Sequence, residues 1–186
     1  TGDVTDFGDL SVARWLGSAT SNSTRGLTFP GQVATGTGYV DVIDYVTIQS
    51  DSKAVDFGDL RDVHYEGMGF SSPTRGFVAG ADSTPGTIGK GEIDYITIST
   101  LGNSSKFGDT LTNDMWQRHC AANAIRGLIM GGRQSPTETN TIEFITIAST
   151  GDTTNFGSLA EKNAHVAACA SPTRGLIMGG HTPTVV

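Results

Sequence analysis

A chain of 186 residues with a net charge of −7 and a pI near 4.9 lacks the clustered Lys and Arg of a phosphate-binding surface, which argues against nucleic acid as a partner. Glycine, at 25 residues, is roughly double its usual share, and charged residues are only 17%. That balance belongs to an all-β chain with many tight turns; no apolar run approaches the roughly 20 residues of a membrane-spanning helix, and no signal peptide is visible.

In chain order, the first candidate strand covers residues 12–20 and ends at the turn Ser21-Asn22-Ser23. A second covers 25–29 and stops at Pro30-Gly31. A longer loop leads to a third at 42–48, whose Ile, Tyr, Val and Thr form a strong strand signal. A polar turn at 50–53 precedes a fourth at 55–60. No stretch carries a sustained helical apolar stripe.

The pattern then repeats. Phe7-Gly8-Asp9-Leu10 returns at Phe57, Phe107 and Phe156, in steps of 50, 50 and 49 residues. Thr24-Arg25-Gly26-Leu27 returns around Arg75, Arg126 and Arg174. Ile43-Asp44-Tyr45-Val46-Thr47-Ile48 returns at 93–98 and 142–147, with no fourth copy. The units are 6–55, 56–105, 106–154 and a truncated 155–186. A four-stranded sheet with two apolar faces cannot bury both alone, and stacking such sheets around an axis covers them. The expected fold is therefore a β-propeller of four-stranded antiparallel blades, about four in this chain with the last incomplete. Residues 1–186 form one such domain or part of one. The strands at 43–48, 93–98 and 142–147 are expected to be central and mostly buried. The chain alone is not expected to close a conventional ring. It starts at Thr1 rather than Met, which implies an upstream segment.

Leu128-Ile129-Met130-Gly131-Gly132 and Leu176-Ile177-Met178-Gly179-Gly180 resemble the apolar-then-diglycine strand of the kelch repeat. Ile93-Asp94-Tyr95 resembles its aromatic strand, and Phe57-x-x-Leu60 takes the place of its Trp-x-x-Leu. The first two units depart from it, with Pro30-Gly31 and Gly80-Ala81 instead of diglycine. More narrowly, Thr-Arg-Gly-Leu-Ile-Met-Gly-Gly and Ile-Asp-Tyr-Ile-Thr-Ile are similar to repeat proteins of tailed phages, marine cyanophages especially. That resemblance implies a virion structural or tail-fibre role.

Motifs of catalysis are scarce. Gly86 to Gly91 lacks the spacing and the Ser or Thr of a phosphate loop. His64, His119, His165 and His181 fall at unequal offsets and in no zinc spacing, so no zinc site and no cofactor are expected, while the polar loops Gly2-Asp3-Val4-Thr5-Asp6 and Gly151-Asp152-Thr153-Thr154-Asn155 carry oxygen ligands for calcium without an EF-hand spacing. Cys120 and Cys169 both lie 13 residues after their unit's Phe and read as two small buried thiols, too far apart across neighbouring blades for a disulfide. The repeated acids read as structural, because catalysis needs one asymmetric constellation. Arg25 with Asp44, Arg75 with Asp94 and Arg126 with Glu143 are expected to pair within their blades, leaving Arg174 to find a carbonyl, a terminal group or another chain. The loops after the second strands vary in chemistry and are candidate recognition loops: Tyr39 in the first, Lys90 in the second, Arg133 and Glu138 in the third.

The leading reading is a non-enzymatic structural or recognition module, virion-borne or extracellular, that binds other virion chains or a host surface such as a glycan. It would belong to a larger chain or a homo-oligomeric assembly. Two others stand beside it: a carbohydrate-active propeller enzyme, hydrolase or lyase, with its site at the axial mouth, and a cellular kelch-type scaffold for protein interaction.

Overall fold

The computed structural model describes residues 2–33, 38–63, 66–80, 91–113, 115–134 and 137–181, and among these every regular element is a β-strand. The first structural unit, which takes its last strand from the start of the next sequence repeat, holds β1 (Arg14–Trp15), β2 (Ala19–Ser21), β3 (Arg25–Thr28), β4 (Gln32–Val33), β5 (Val42–Thr47) and β6 (Val55–Asp59). β2, β3, β5 and β6 make an antiparallel sheet in that order, while β1 and β4 pair as a separate ribbon. The second sheet is β7 (Met68–Ser71), β8 (Arg75–Ala79), β9 (Glu92–Thr97) and β10 (Ser105–Asp109). The third unit holds β11 (His119–Ala122), β12 (Arg126–Met130), the hairpin of β13 (Arg133–Gln134) and β14 (Thr137–Glu138), then β15 (Thr141–Thr146) and β16 (Thr154–Ser158). Its sheet runs β11-β12-β15-β16. Among the described residues the last two strands, β17 (Ala167–Ala170) and β18 (Gly175–Met178), pair only with each other.

The strands expected at 43–48, 93–98 and 142–147 are β5, β9 and β15, each third in its sheet and flanked on both sides. The stretch expected as one strand over 12–20 is instead broken between β1 and β2. Leu16 sits there at φ 55°, and Glu66, Gln117 and His165 take the left-handed conformation at the matching place in the other units. An L-residue in that region ends a strand and turns the chain.

Alternation along the third strand explains how the sheets stack. Ile43 and Tyr45 face forward, whereas in the next sheet Ile96 faces back toward them. The first apolar cluster accordingly joins Leu27, Ile43, Phe57 and Leu60 of the first sheet to Val78, Ile96 and Ile98 of the second. The second cluster repeats this between the next two sheets, with Phe77, Ile93 and Phe107 against Ile129, Ile145 and Ile147. The first strands β2, β7, β11 and β17 lie side by side, each against the next. Core-facing isoleucines buried this way contribute about 1.5–3 kcal/mol each.

Each outer strand carries a β-bulge at its Phe-Gly. Asp44 pairs with Asp56 but Ile43 with Gly58, which leaves Phe57 as the extra residue; Phe107 and Phe156 occupy the same place in β10 and β16. The bulge turns Phe57 and Phe107 into the core, at 2% and 3% exposure. It also lays the outer strand against the turn of the following unit. Gly102 N donates to Phe57 O at 2.9 Å and Gly151 N to Phe107 O at 2.8 Å. Gly58, at φ +141°, needs its missing side chain here, because a Cβ would stand 2.5 Å from Gly102 O.

The two cysteines are free, but the expectation of two equivalent buried thiols is corrected. Cys120 pairs with Ile129, whereas Cys169 pairs with Leu176, the counterpart of Leu128. The third unit has one extra residue before its first strand, and a one-residue shift moves a strand residue to the opposite face. Cys120 therefore packs on the second core cluster, where burial pushes its thiol up to about 12, while Cys169 is exposed.

Candidate functional site

The repeated acids are hubs, but not for the expected arginines. Asp44 is fully buried and bonds Arg14 Nη2 at 2.7 Å, not Arg25. Ser11 donates to the same carboxylate through its backbone N–H at 3.1 Å and its hydroxyl at 2.8 Å. Asp94 takes Arg61 Nε at 2.8 Å and Ser104 Oγ at 3.0 Å. Glu143 takes Arg118 Nη2 at 2.6 Å, Leu111 N at 2.9 Å and the Thr153 hydroxyl at 2.5 Å. In each case the acid holds the chain segment that follows a Phe-Gly-Asp sequence and enters the acid's own sheet. The partner arginine comes from that connecting segment, which sequence repetition could not reveal because the three arginines stand at unequal offsets.

The repeated arginines do something else. Arg25, Arg75 and Arg126 lie over the rings of Tyr45, Tyr95 and Phe144, with the guanidinium carbon 4.7, 4.9 and 5.0 Å from the centroids. Arg25 Nη1 also donates to Ile98 O and Arg75 Nη1 to Ile147 O, both at 2.6 Å. All three therefore stack on their own sheet's third strand, and Arg25 and Arg75 also bond the end of the next one. The expected pairs of Arg25, Arg75 and Arg126 with Asp44, Asp94 and Glu143 do not form, because each arginine shares a sheet face with the aromatic residue next to the acid, while the acid points to the other face. Arg174 has no ring and no hydrogen-bond partner for its guanidinium among the described residues.

Of the four candidate recognition residues, Arg133 and Glu138 are brought together. They face each other across the β13–β14 hairpin, with Arg133 Nε 4.0 Å from Glu138 Oε1. Glu138 is 6% exposed and also lies 3.6 Å from His181 Nδ1, which belongs to the following unit. Arg133 and His181 remain 40% and 53% exposed. Glu138 is thus the buried anchor and the two nitrogen-bearing side chains are the presented groups. His181 and Arg133 hold the same place after a diglycine, which is the signal that could have found His181. Backbone bonds continue the surface across both units: Trp116 with Arg133 and Ala164 with His181 each exchange two. Tyr39 bridges to Gln32, which pairs on its other side with the exposed Trp15. Lys90 lies outside the described residues.

At another part of the surface the turns 21–23, 71–73, 122–124 and 170–172 surround a bowl of about 490 Å³. Its polar atoms are occupied internally. The Asn22 carbonyl oxygen accepts Thr24 N and Arg25 N, Ser72, Asn123 and Ser171 do the same in their turns, and Asn22 Nδ2 reaches Pro73 O. The lining carries no ionisable side chain. Among the described residues no group of three or more His, Cys, Asp or Glu is placed to hold a metal, and no helix is long and apolar enough to cross a membrane.

Comparison with protein-family models and with curated proteins finds no match to this chain.

Proposed function

We propose that the chain is an arc of a kelch-like β-propeller that acts as a non-enzymatic structural and recognition module of a tailed-phage virion. In this reading the four-stranded sheets are blades, and the side-by-side strands β2, β7, β11 and β17 line the axis. The observation that carries it is a division of labour among the charged residues. The repeated acids Asp44, Asp94 and Glu143 are consumed by contacts that tie each sheet to the segment entering it, with exposures of 0%, 2% and 0%. The unrepeated Arg133 and His181 gather instead at one exposed loop surface that spans two units. A rigid repeat scaffold with variable loops at one end is built for binding. A cationic group backed by a buried carboxylate, next to hairpin backbone, suits a polar surface such as a host glycan or an acidic patch on another virion chain.

The test has two parts. Antibodies raised against this chain should decorate purified phage particles, and particles carrying Arg133→Ala with His181→Ala should adsorb to host cells more slowly while assembling normally. Absence of the chain from purified particles would sink the virion role, and unchanged adsorption would sink the recognition surface.

A further inference from the structure

The half-built fourth sheet leaves several groups without the partners that their counterparts have. β18 is hydrogen-bonded to β17 on one edge and, among the described residues, to no strand on the other. Its Leu176 and Met178 are 55% and 51% exposed, where Leu27 and Phe77 on the matching strands are 1% and 0%. Phe156 is 53% exposed, while Phe57 and Phe107 are buried. Beside it lies an apolar cavity of about 280 Å³, lined by Leu128, Ile142, Phe156, Leu159, Ile177 and the side of Arg174. At the two complete junctions the corresponding space holds two isoleucines of the following third strand, Ile96 with Ile98 and Ile145 with Ile147.

We infer that the free edge of β18 binds one extended strand of the repeat's own third-strand type, reading Ile-acid-aromatic-β-branched-Thr-Ile and supplied by a further unit of the repeat. Strand addition would complete the backbone ladder of β18. The two back-facing isoleucines would fill the cavity and cover Phe156. The aromatic ring would lie beneath Arg174, as Tyr45, Tyr95 and Phe144 lie beneath Arg25, Arg75 and Arg126. The last carbonyl would accept from Arg126, which stacks on Phe144 but lacks the acceptor that Ile98 and Ile147 give Arg25 and Arg75. The acid would face the backbone N–H of Ala160, four residues after Phe156, as Asp44 and Glu143 face those of Ser11 and Leu111. A second copy of this chain is a poor donor. Each of its own third strands is held between two neighbours, with Ile43, Ile93 and Ile145 at no more than 1% exposure.

The probe is a synthetic peptide of residues 91–100, Gly-Glu-Ile-Asp-Tyr-Ile-Thr-Ile-Ser-Thr, titrated into the intact chain with fluorescence anisotropy and amide hydrogen exchange as readouts. One peptide should bind per chain and protect the amides of β18. Arg174→Ala, an exposed change that removes no hydrogen bond, ion pair or ring contact of its guanidinium among the described residues, should weaken binding roughly tenfold. A peptide with Asp in place of the residues matching Ile96 and Ile98 should not bind. Absence of saturable binding, equal binding of the Asp-substituted peptide, or protection that leaves the amides of β18 unchanged would overturn the inference. So would concentration-dependent self-association of the chain alone that protects the same amides, since that would assign the edge to a second copy.

Discussion

Asp44, Asp94 and Glu143 occupy the same position in three sheets, yet their surroundings differ enough to separate their effects. Asp44 and Arg14 are at most 1% exposed, so removing the carboxylate strands a buried guanidinium. Arg61 is 33% exposed and keeps Glu92 at 3.0 Å if Asp94 is lost. Breaking a buried pair from one side costs about 3–5 kcal/mol, whereas a partly exposed pair is screened and contributes less. Asp44→Ala should therefore lower unfolding free energy by about 3–5 kcal/mol and Asp94→Ala by roughly 1–2 kcal/mol, read from denaturant midpoints. Equal losses would mean that the Ser11 and Ser104 contacts, not the arginines, dominate at these hubs.

At the scale of the strand, the Phe-Gly bulge has two separable roles: it turns the phenylalanine inward and it lets the next unit's turn approach. Gly58 meets the Gly102 backbone, while Gly157, in the same conformation at φ +150°, meets nothing within 4 Å. Alanine at either site pays the same strained backbone conformation, and only Gly58→Ala adds a steric clash. Gly58→Ala should be more destabilising than Gly157→Ala by about 1–3 kcal/mol, the usual range for overpacking. Matching thermal shifts for the two variants would show that the close approach relaxes at little energetic expense. The left-handed residues Leu16, Glu66, Gln117 and His165 punctuate the entry to each first strand in the same repeated way.

Over the whole molecule, stability follows the stacking. The second sheet is covered on both faces, by the first and second apolar clusters, whereas the last two strands are covered on one face only. Repeat architectures distribute stability as intrinsic terms plus neighbour interfaces, so units with fewer neighbours open first. Amide exchange in β17 and β18 should be faster than in β8 and β9 by a factor of about 100 or more, the equivalent of roughly 2.7 kcal/mol of local opening free energy. Uniform protection across all four units would contradict an additive stack and point to a single cooperative body.

The sequence by itself determined the repeat, its phase and the place of the second, third and fourth strands of the first sheet, though not of its first. Ile43 to Ile48 and its two later copies read as β because β-branched and aromatic residues alternate between two faces that both need burial, and that information is local. The sequence also marked the acids and arginines as structural, since both recur with the period. Which side chains meet was decided only by the tertiary structure. Arg14, Arg61 and Arg118 stand seven, four and eleven residues after Phe7, Phe57 and Phe107, so no periodic pattern joins them to Asp44, Asp94 and Glu143. A long flexible side chain can reach a buried carboxylate from any of those offsets, and the link crosses from a connecting segment to a sheet. The faces of Cys120 and Cys169 were hidden for a related reason: a single inserted residue leaves composition and motif intact while it inverts the strand. Arg133, Glu138 and His181 likewise became one surface only when a hairpin of one unit was laid beside the strand end of the next, a distance no sequence separation encodes.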